Sequence, residues 1–98
     1  MKLSRAEAEA RLKPLNGWTL DGEAIRKQFT FADFMAAVAF VNRLAPECGA
    51  VDHHPDILIN YTRVTLTYST HSEGGLTAKD FAGAATADRF ANATEENV

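Results

Sequence analysis

Three helix-start patterns divide this chain and constrain its fold more than any other feature of the sequence. In each pattern a Ser or Thr is followed three residues later by an acidic residue, and the three begin at Ser4, Thr30 and Thr77. In such a capping box the hydroxyl accepts a hydrogen bond from the amide of the acidic residue, whose side chain reaches back to the first amide. We therefore predict helices over about 5–13, over about 31–44 or slightly beyond, and from Thr77 to about residue 90 or 92.

Apolar residues at helical spacing indicate which faces of these helices are buried. In the middle helix the predicted stripe is Phe34, Val38, Val41 and Ala45, widened by Phe31, Ala37 and Leu44. Pro46 and Gly49 are expected near the end of that helix. In the last helix the predicted inner face is Phe81, Ala84, Ala85 and Asp88, and the tail from Thr94 onward is predicted to fray.

Two strand pairs lie between the helices. Residues 18–20 and 24–29 flank Asp21-Gly22, a dipeptide that favours a tight hairpin turn. Residues 57–61 and 63–69 form a second pair, in which Val64, Leu66 and Tyr68 line one strand face. The order of elements predicts an α+β fold, a two-layer sandwich in which helices cover one face of a four-stranded antiparallel sheet.

Length, charge and cysteine content narrow the class of protein. A chain of 98 residues fits one domain spanning 1–98. The net charge is −3 and there is no basic block, so we expect no nucleic-acid partner. Cys48 is the single cysteine, which excludes an intrachain disulfide. No apolar segment near the start resembles a signal peptide, and none approaches the ~20 residues of a membrane span, so we expect a cytoplasmic protein.

The three histidines carry the chemical signal. His53 and His54 precede Pro55, and His71 ends the fourth predicted strand. Imidazole suits proton transfer because its ordinary pKa is about 6.5. Side chains of neighbouring residues on a regular strand point in opposite directions, so two adjacent rings share one pocket only if their segment is irregular.

Other interpretations of these residues stay open. A His-His pair is often a solvated loop, and the histidines with Asp52 or Asp56 would supply enough ligands for a metal ion. No tight ligand spacing supports a metal site. Asp80 can serve as the acid of the Thr77 capping box, orient a histidine, or do both.

The run Asp52-His53-His54-Pro55-Asp56 resembles the pterin-4a-carbinolamine dehydratase family, and the resemblance extends over nearly the whole chain. Further similar segments are Gly17-Trp18, 25–34, Asn60-Tyr61, Ser69-Thr70-His71 and 75–80. The family often has an acidic residue at the position of Gly49 and an aromatic residue at that of Ile57, so the chain departs from it there.

The resemblance implies an enzyme that dehydrates 4a-hydroxytetrahydrobiopterin to quinonoid dihydropterin and water. The substrate would come from an aromatic amino acid hydroxylase that uses tetrahydropterin. No cofactor and no metal would be needed, since the pterin is the substrate. Family members assemble as homodimers or homotetramers, and animal members also act as a dimerisation cofactor for a homeodomain transcription factor. The alternative is a non-catalytic, oligomerising interaction module of the same fold.

The resemblance also implies roles for individual residues. His53, His54 and His71 match the three active-site histidines of the family, and Asp80 matches its supporting acid. The residues that match the pterin-contacting stretches are Asp52, His53, His54, Ser69, Thr70, His71 and Ser72. Ser69 and Thr70 could act through backbone groups or through their hydroxyls.

Overall fold

The computed structural model describes residues 1 to 96. In chain order the elements are α1 (Arg5–Leu12), β1 (Thr19–Asp21), β2 (Ala24–Thr30), α2 (Phe34–Val51), β3 (Asp56–Asn60), β4 (Arg63–Tyr68) and α3 (Ala78–Glu96). A short 3-10 turn covers His71–Glu73 between β4 and α3. The predicted order of helices and strand pairs is confirmed.

The four strands form one antiparallel sheet in the order β1-β2-β4-β3. Two hairpins supply it, and β2 pairs with β4 at the centre. The first turn is Gly22-Glu23, since Asp21 is still paired with Ala24, and Gly22 there has a φ of 62°. Strands β3 and β1 therefore form the two edges of the sheet. Because β3 and β4 are antiparallel, the end of β4 lies next to the start of β3.

The helices cover one face of this sheet, as predicted for an α+β sandwich. Val64, Leu66 and Tyr68 on β4 are all buried and belong to one core cluster with residues from the three helices. Phe40 of α2 packs against the rings of Phe29 and Phe31, each at a centroid distance of 5.1 Å. Within residues 1 to 96 the other face of the sheet carries no helix, so the described fold has two layers.

The start of α2 differs from the prediction. Ser4 and Glu7 do form the predicted capping box of α1, but Thr30 caps nothing because it is still paired in β2. Asp33 is the N-cap instead, and its carboxylate accepts from the Ala36 amide at 2.8 Å. Phe31, predicted to lie in the helix, is a buried residue of the connection. Because the large aromatic side chain of Phe31 is buried in the core, α2 begins at Phe34, three residues later than predicted.

The buried stripe of α2 is rotated relative to the predicted one. Buried positions are Ala36, Ala37, Phe40, Leu44 and Cys48. Phe34 and Ala45, predicted to be inside, are exposed. The helix also continues through Pro46 to Val51, although proline there cannot donate a backbone hydrogen bond.

An apolar surface remains at the start of α2, on its outer side. Phe34 is 46% exposed and Met35 70%. Val51 is also exposed, at 68%, but lies at the other end of the helix. Among the described residues, α2 is the one helix whose length and composition would allow it to cross a membrane. Five residues along its inner side are buried in the core: Ala36, Ala37, Phe40, Leu44 and Cys48.

Helix α3 is longer than predicted, and its inner face agrees with the prediction at Phe81 and Ala84 but not at Ala85. Phe81, Ala84, Ala87 and Ala91 are buried, whereas Ala85 is exposed. The helix reaches Glu96, beyond the predicted end near residue 92 and into the predicted tail. Residues 97 and 98 of that tail lie outside the described part of the chain.

The contacts of Asp88 join α3 to the first hairpin, and they explain why this polar residue lies on the inner face of the helix. Both carboxylate oxygens lie 3.1 Å from the Trp18 indole nitrogen, and one lies 2.8 Å from the Lys27 ammonium. Lys27 also donates to the carbonyl oxygen of Asn16 at 2.9 Å. The carboxylate is therefore a structural anchor at the end of the sheet away from the histidines.

Candidate active site

The turn after α2 aims the two adjacent histidines. Asp52 ends the helix in the left-handed region, with φ 51° and ψ 46°. The next amide, that of His53, donates to the Cys48 carbonyl at 3.1 Å. Residues 53 to 55 then run without regular structure into β3. This is the irregular segment that the His-His pair was expected to need.

His53 turns toward the helical layer and meets Asp80. Its Nε2 lies 2.6 Å from Asp80 Oδ1. The His53 side chain is 11% exposed and that of Asp80 is fully buried. The imidazole also stacks on the Tyr68 ring, with centroids 6.0 Å apart and planes 24° apart. The ring is thus fixed on one edge by a hydrogen bond and on one face by an aromatic contact.

The Asp80 carboxylate holds together three segments of the chain. Besides His53, it accepts from the Thr70 hydroxyl at 2.8 Å and from the Thr77 amide at 2.9 Å, both at Oδ2. The second of these is the return bond of the predicted Thr77 capping box. Asp80 therefore caps α3 and contacts a histidine at the same time, so both roles weighed for it coexist.

His54 and His71 line one cleft on the side of the sheet that the helices leave open. Its volume is about 330 Å³. Both histidines are exposed. The other polar side chains that line it are those of Glu23, Asp56, Thr67 and Ser69. The fold thus brings together two imidazoles that are far apart in sequence, at the edge where β4 ends and β3 begins.

His53 does not line this cleft, although the sequence suggested that one pocket would take all three rings. It lines a second cavity, of about 270 Å³, between α2 and α3. His53 and His54 thus end on different sides of the sheet, although the segment that carries them is irregular. Thr70 connects the two sides, because its hydroxyl binds Asp80 and its backbone leads directly into His71.

The remaining residues carried over from the resemblance lie in different places. The Ser69 hydroxyl is in the cleft but donates to the Glu23 carbonyl at 2.7 Å. Thr70 is buried. Ser72 lines another groove, beside the N-terminal residues. Asp52 is exposed at the helix end and lines neither the cleft nor the second cavity.

Some cleft and cavity residues were not found from the sequence. Thr67 could have been found, because it alternates with the buried Leu66 and Tyr68 on β4. Glu23 could not, because its place depends on how the first hairpin meets the His71 turn. On the helical side, Tyr68 and Cys48 line the second cavity. Burial raises the pKa of both the phenol and the thiol, so both stay protonated at neutral pH.

The histidines, the cysteine and the acidic residues of the described chain form no group of three with the geometry of a metal site. His53 in particular is committed to Asp80. A site that has two imidazoles in an open cleft and a third held by a carboxylate is suited to moving protons at a small polar molecule.

Sequence comparisons identify relatives along most of the chain. Residues 1–90 match the family model described as pterin 4 alpha carbinolamine dehydratase. A protein of Roseiflexus castenholzii whose name places it in that family is 51% identical over 88 residues, covering 90% of this chain and 95% of that protein. A similarly named protein of Sulfolobus acidocaldarius is 44% identical over 81 residues, covering 83% and 89%.

Solved structures agree. A transcriptional coactivator/pterin dehydratase from Brucella melitensis superposes with a TM-score of 0.89 at 38% identity, covering 93% of this chain and 99% of that one. A pterin dehydratase-like protein, identified as a RuBisCO assembly factor in the alpha-carboxysome, gives a TM-score of 0.66 at 26% identity and covers 78% and 90%. Match length, identity and fold together show that this chain belongs to the pterin-4a-carbinolamine dehydratase family.

Proposed function

We propose that the protein dehydrates 4a-hydroxytetrahydrobiopterin to quinonoid dihydropterin and water, with no metal and no cofactor. The observation that carries the proposal is the pair His54 and His71, which line one cleft from distant parts of the chain. Family membership gives the reaction class. The acceptors and donors around the two rings suit a polar heterocycle better than an apolar ligand.

The reaction needs two proton transfers at neighbouring atoms. The C4a–O bond breaks as an imidazolium gives its proton to the departing hydroxyl, which leaves as water. The proton on N5 passes to a neutral base, and the N5 electron pair forms the C=N bond. Two imidazoles in opposite protonation states suffice for this exchange, and each positioned transfer typically contributes ~10²–10⁴-fold. We assign the hydroxyl to one of the two cleft histidines, His54 or His71, and the N5 proton to the other.

His53 has a separate part in this proposal. Its Nε2 is bound to the buried Asp80 carboxylate, and the residue lines the cavity between α2 and α3 rather than the cleft. The resemblance suggests N5 or binding of the ring for His53. We assign it an indirect effect on a pterin in the cleft, through Asp80 and Thr70, whose backbone leads into His71. Because Asp80 orients the imidazole rather than touching the pterin, its loss should cost less activity than the loss of a histidine.

The test is a dehydration assay on three variants, His53→Ala, His54→Ala and His71→Ala. Turnover of 4a-hydroxytetrahydrobiopterin, followed by ultraviolet absorbance, should fall at least tenfold in each, while circular dichroism stays unchanged. Lys13→Ala is the control, since Lys13 is exposed and lines neither the cleft nor the second cavity. Full turnover in all three histidine variants would refute the proposal. Metal analysis of untagged protein, with activity after chelation, tests the metal-free part.

A second candidate function, a non-catalytic interaction module, is favoured by one observation. Every residue of the edge strand β3 is exposed, including Ile57, Leu58 and Ile59. An open apolar edge is a place where another strand pairs. We propose that a second copy of this chain pairs there, giving a homodimer or, with the outer side of α2, a homotetramer. Oligomers that show no turnover would favour this function alone.

The proposed substrate also implies a partner reaction. A 4a-hydroxytetrahydropterin forms when an aromatic amino acid hydroxylase consumes tetrahydropterin, so we propose a functional link to such an enzyme in the cytoplasm. Turnover in a coupled assay with a purified hydroxylase would support the link. If the rate with the hydroxylase as supplier equals the uncatalysed rate, the link fails.

A further inference from the structure

We propose that Thr70 is a positioning residue, whose buried hydroxyl orients the Asp80 carboxylate and thereby fixes His53 as the tautomer protonated on Nε2. This inference rests on the proposed function for its catalytic consequence, but its structural part can be tested without activity. It also changes the expected role of Thr70. The hydroxyl, which was a candidate to touch the pterin, is already used inside the protein.

The direction of each hydrogen bond follows from the donors available. Thr70 Oγ1 lies 2.8 Å from Asp80 Oδ2 and 2.8 Å from Thr77 Oγ1. A carboxylate can only accept, so the single hydroxyl proton of Thr70 goes to Asp80. The proton between the two threonines must then come from Thr77. The chain of donation runs from Thr77 to Thr70 to Asp80.

The Thr77 backbone reinforces this direction. Its amide donates to Asp80 Oδ2 at 2.9 Å, so Oδ2 accepts two hydrogen bonds and is saturated by α3 and the His71 turn. Oδ1 is left for His53 alone, at 2.6 Å. Since Oδ1 can only accept, Nε2 of His53 carries the proton. Nδ1 is therefore the nitrogen that can take or give a proton to a ligand.

The hydrogen-bond network of Thr70, Thr77 and Asp80 is buried, so the loss of any one bond cannot easily be compensated by water. Thr70, Thr77 and Asp80 are 5%, 6% and 0% exposed. Water therefore has little access to replace a missing hydroxyl, and a lost donor leaves the carboxylate free to rotate. Rotation would loosen His53 on one side and the turn that carries His71 on the other, although Thr70 itself touches neither ring.

The experiment compares Thr70→Val, which keeps the shape and removes the hydroxyl, with Thr70→Ser, which keeps the hydroxyl. Nitrogen-15 spectra of the histidine rings report the tautomer of His53. We expect the wild type and Thr70→Ser to show protonated Nε2 and unprotonated Nδ1 in neutral His53. Thr70→Val should show a mixture of tautomers, with kcat at least fivefold lower and KM within twofold.

A second variant covers the case in which Thr70→Val does not fold. Thr77→Val removes the donor to Thr70, together with the acceptor of the Lys79 amide, but keeps the amide that binds Asp80, so it should give a smaller tautomer shift in the same direction. If His53 spectra are unchanged in every folded variant, the inference is wrong even if stability falls. If the tautomer shifts as expected but the wild type shows no turnover, the proposed function fails and the positioning role stands.

Discussion

Gly83 on α3 lies directly against the ring of Tyr68 on β4. A Cβ atom at position 83 would lie 2.6 Å from Cε1 and 2.8 Å from Cζ of that ring, closer than any van der Waals contact. Tyr68 is 1% exposed, and its other face packs on His53. The absence of a side chain at Gly83 is therefore what lets α3 pack close enough for Asp80 to reach the histidine.

The first prediction concerns that contact. Gly83→Ala should lower the free energy of unfolding by about 1–3 kcal/mol, because the added Cβ would overlap the Tyr68 ring and force the ring or α3 to shift. Urea unfolding measures the change. Gly49→Ala on α2 is the matched control, since a Cβ there meets nothing within 4 Å. That variant should gain about 0.5–1 kcal/mol, and equal effects of the two substitutions would contradict the packing argument.

The second prediction concerns Asp80. Asp80→Asn keeps the size of the side chain but replaces one acceptor oxygen with a donor, which then faces either His53 or the Thr77 amide. We expect a loss of about 2–3 kcal/mol of stability, since a hydrogen bond to a buried charged group is broken. Turnover should fall less than in His54→Ala. Thermal unfolding and the dehydration assay measure the two effects. Wild-type stability in Asp80→Asn would show that the carboxylate is not needed for the fold.

The third prediction is a loss of stability at alkaline pH. Burial raises the pKa of Tyr68 and of Cys48, so the unfolded chain releases these protons at lower pH than the folded protein does. The stabilisation is present below the unfolded pKa values, roughly 8.5 for a thiol and 10 for a phenol, and is lost as pH rises above them. For Tyr68 the slope is at most about 1.4 kcal/mol per pH unit.

Thermal unfolding between pH 7 and 11 measures this loss. Tyr68→Phe removes the titrating phenol, so the decline above pH 10 should be shallower than in the wild type. Exposed Tyr61 serves as the internal comparison, and Tyr61→Phe should leave the decline unchanged. Parallel curves for Tyr68→Phe and the wild type would mean that the phenol does not contribute.

The fourth prediction concerns the proposed pairing of two copies along β3. Leu58 is 56% exposed on the open face of that edge. Leu58→Lys should weaken self-association at least tenfold, because two ammonium groups would meet across the joined edges. Sedimentation velocity measures the dissociation constant. The control is Gln28→Lys on central β2, since Gln28 and Leu58 both pair with Thr65. Equal weakening by both substitutions would count against edge pairing.

Much of the fold could be predicted because local signals and tertiary packing agree. The Ser4 capping box and the alternation of Val64, Leu66 and Tyr68 each specify one structure, and each is confirmed. Where they compete, packing decides. The Thr30 pattern has the same local form as the Ser4 pattern, but Phe31 is drawn into the core and the strand continues. A sequence pattern for a helix start does not include the tendency of Phe31 to be buried in the core.

The sequence named several residues that the structure brings together, but not their arrangement. The resemblance brought the three histidines and Asp80 together, and the structure does bring His53 to Asp80 and His54 to His71. The division between two sides of the sheet depends on Asp52, whose left-handed conformation sets the direction of the next residues. The spacing of residues along the sequence does not reveal that Asp52, which is not a glycine, adopts a left-handed backbone conformation.

The division between His53 and His54 gives adjacent, chemically identical side chains different access to solvent. His54 is exposed, so its ring is open to bulk water. His53 is shielded by Tyr68 and held by Asp80, so its ring has much less contact with solvent. One left-handed residue at a helix end thus separates an imidazole that water reaches freely from one that the protein holds in place.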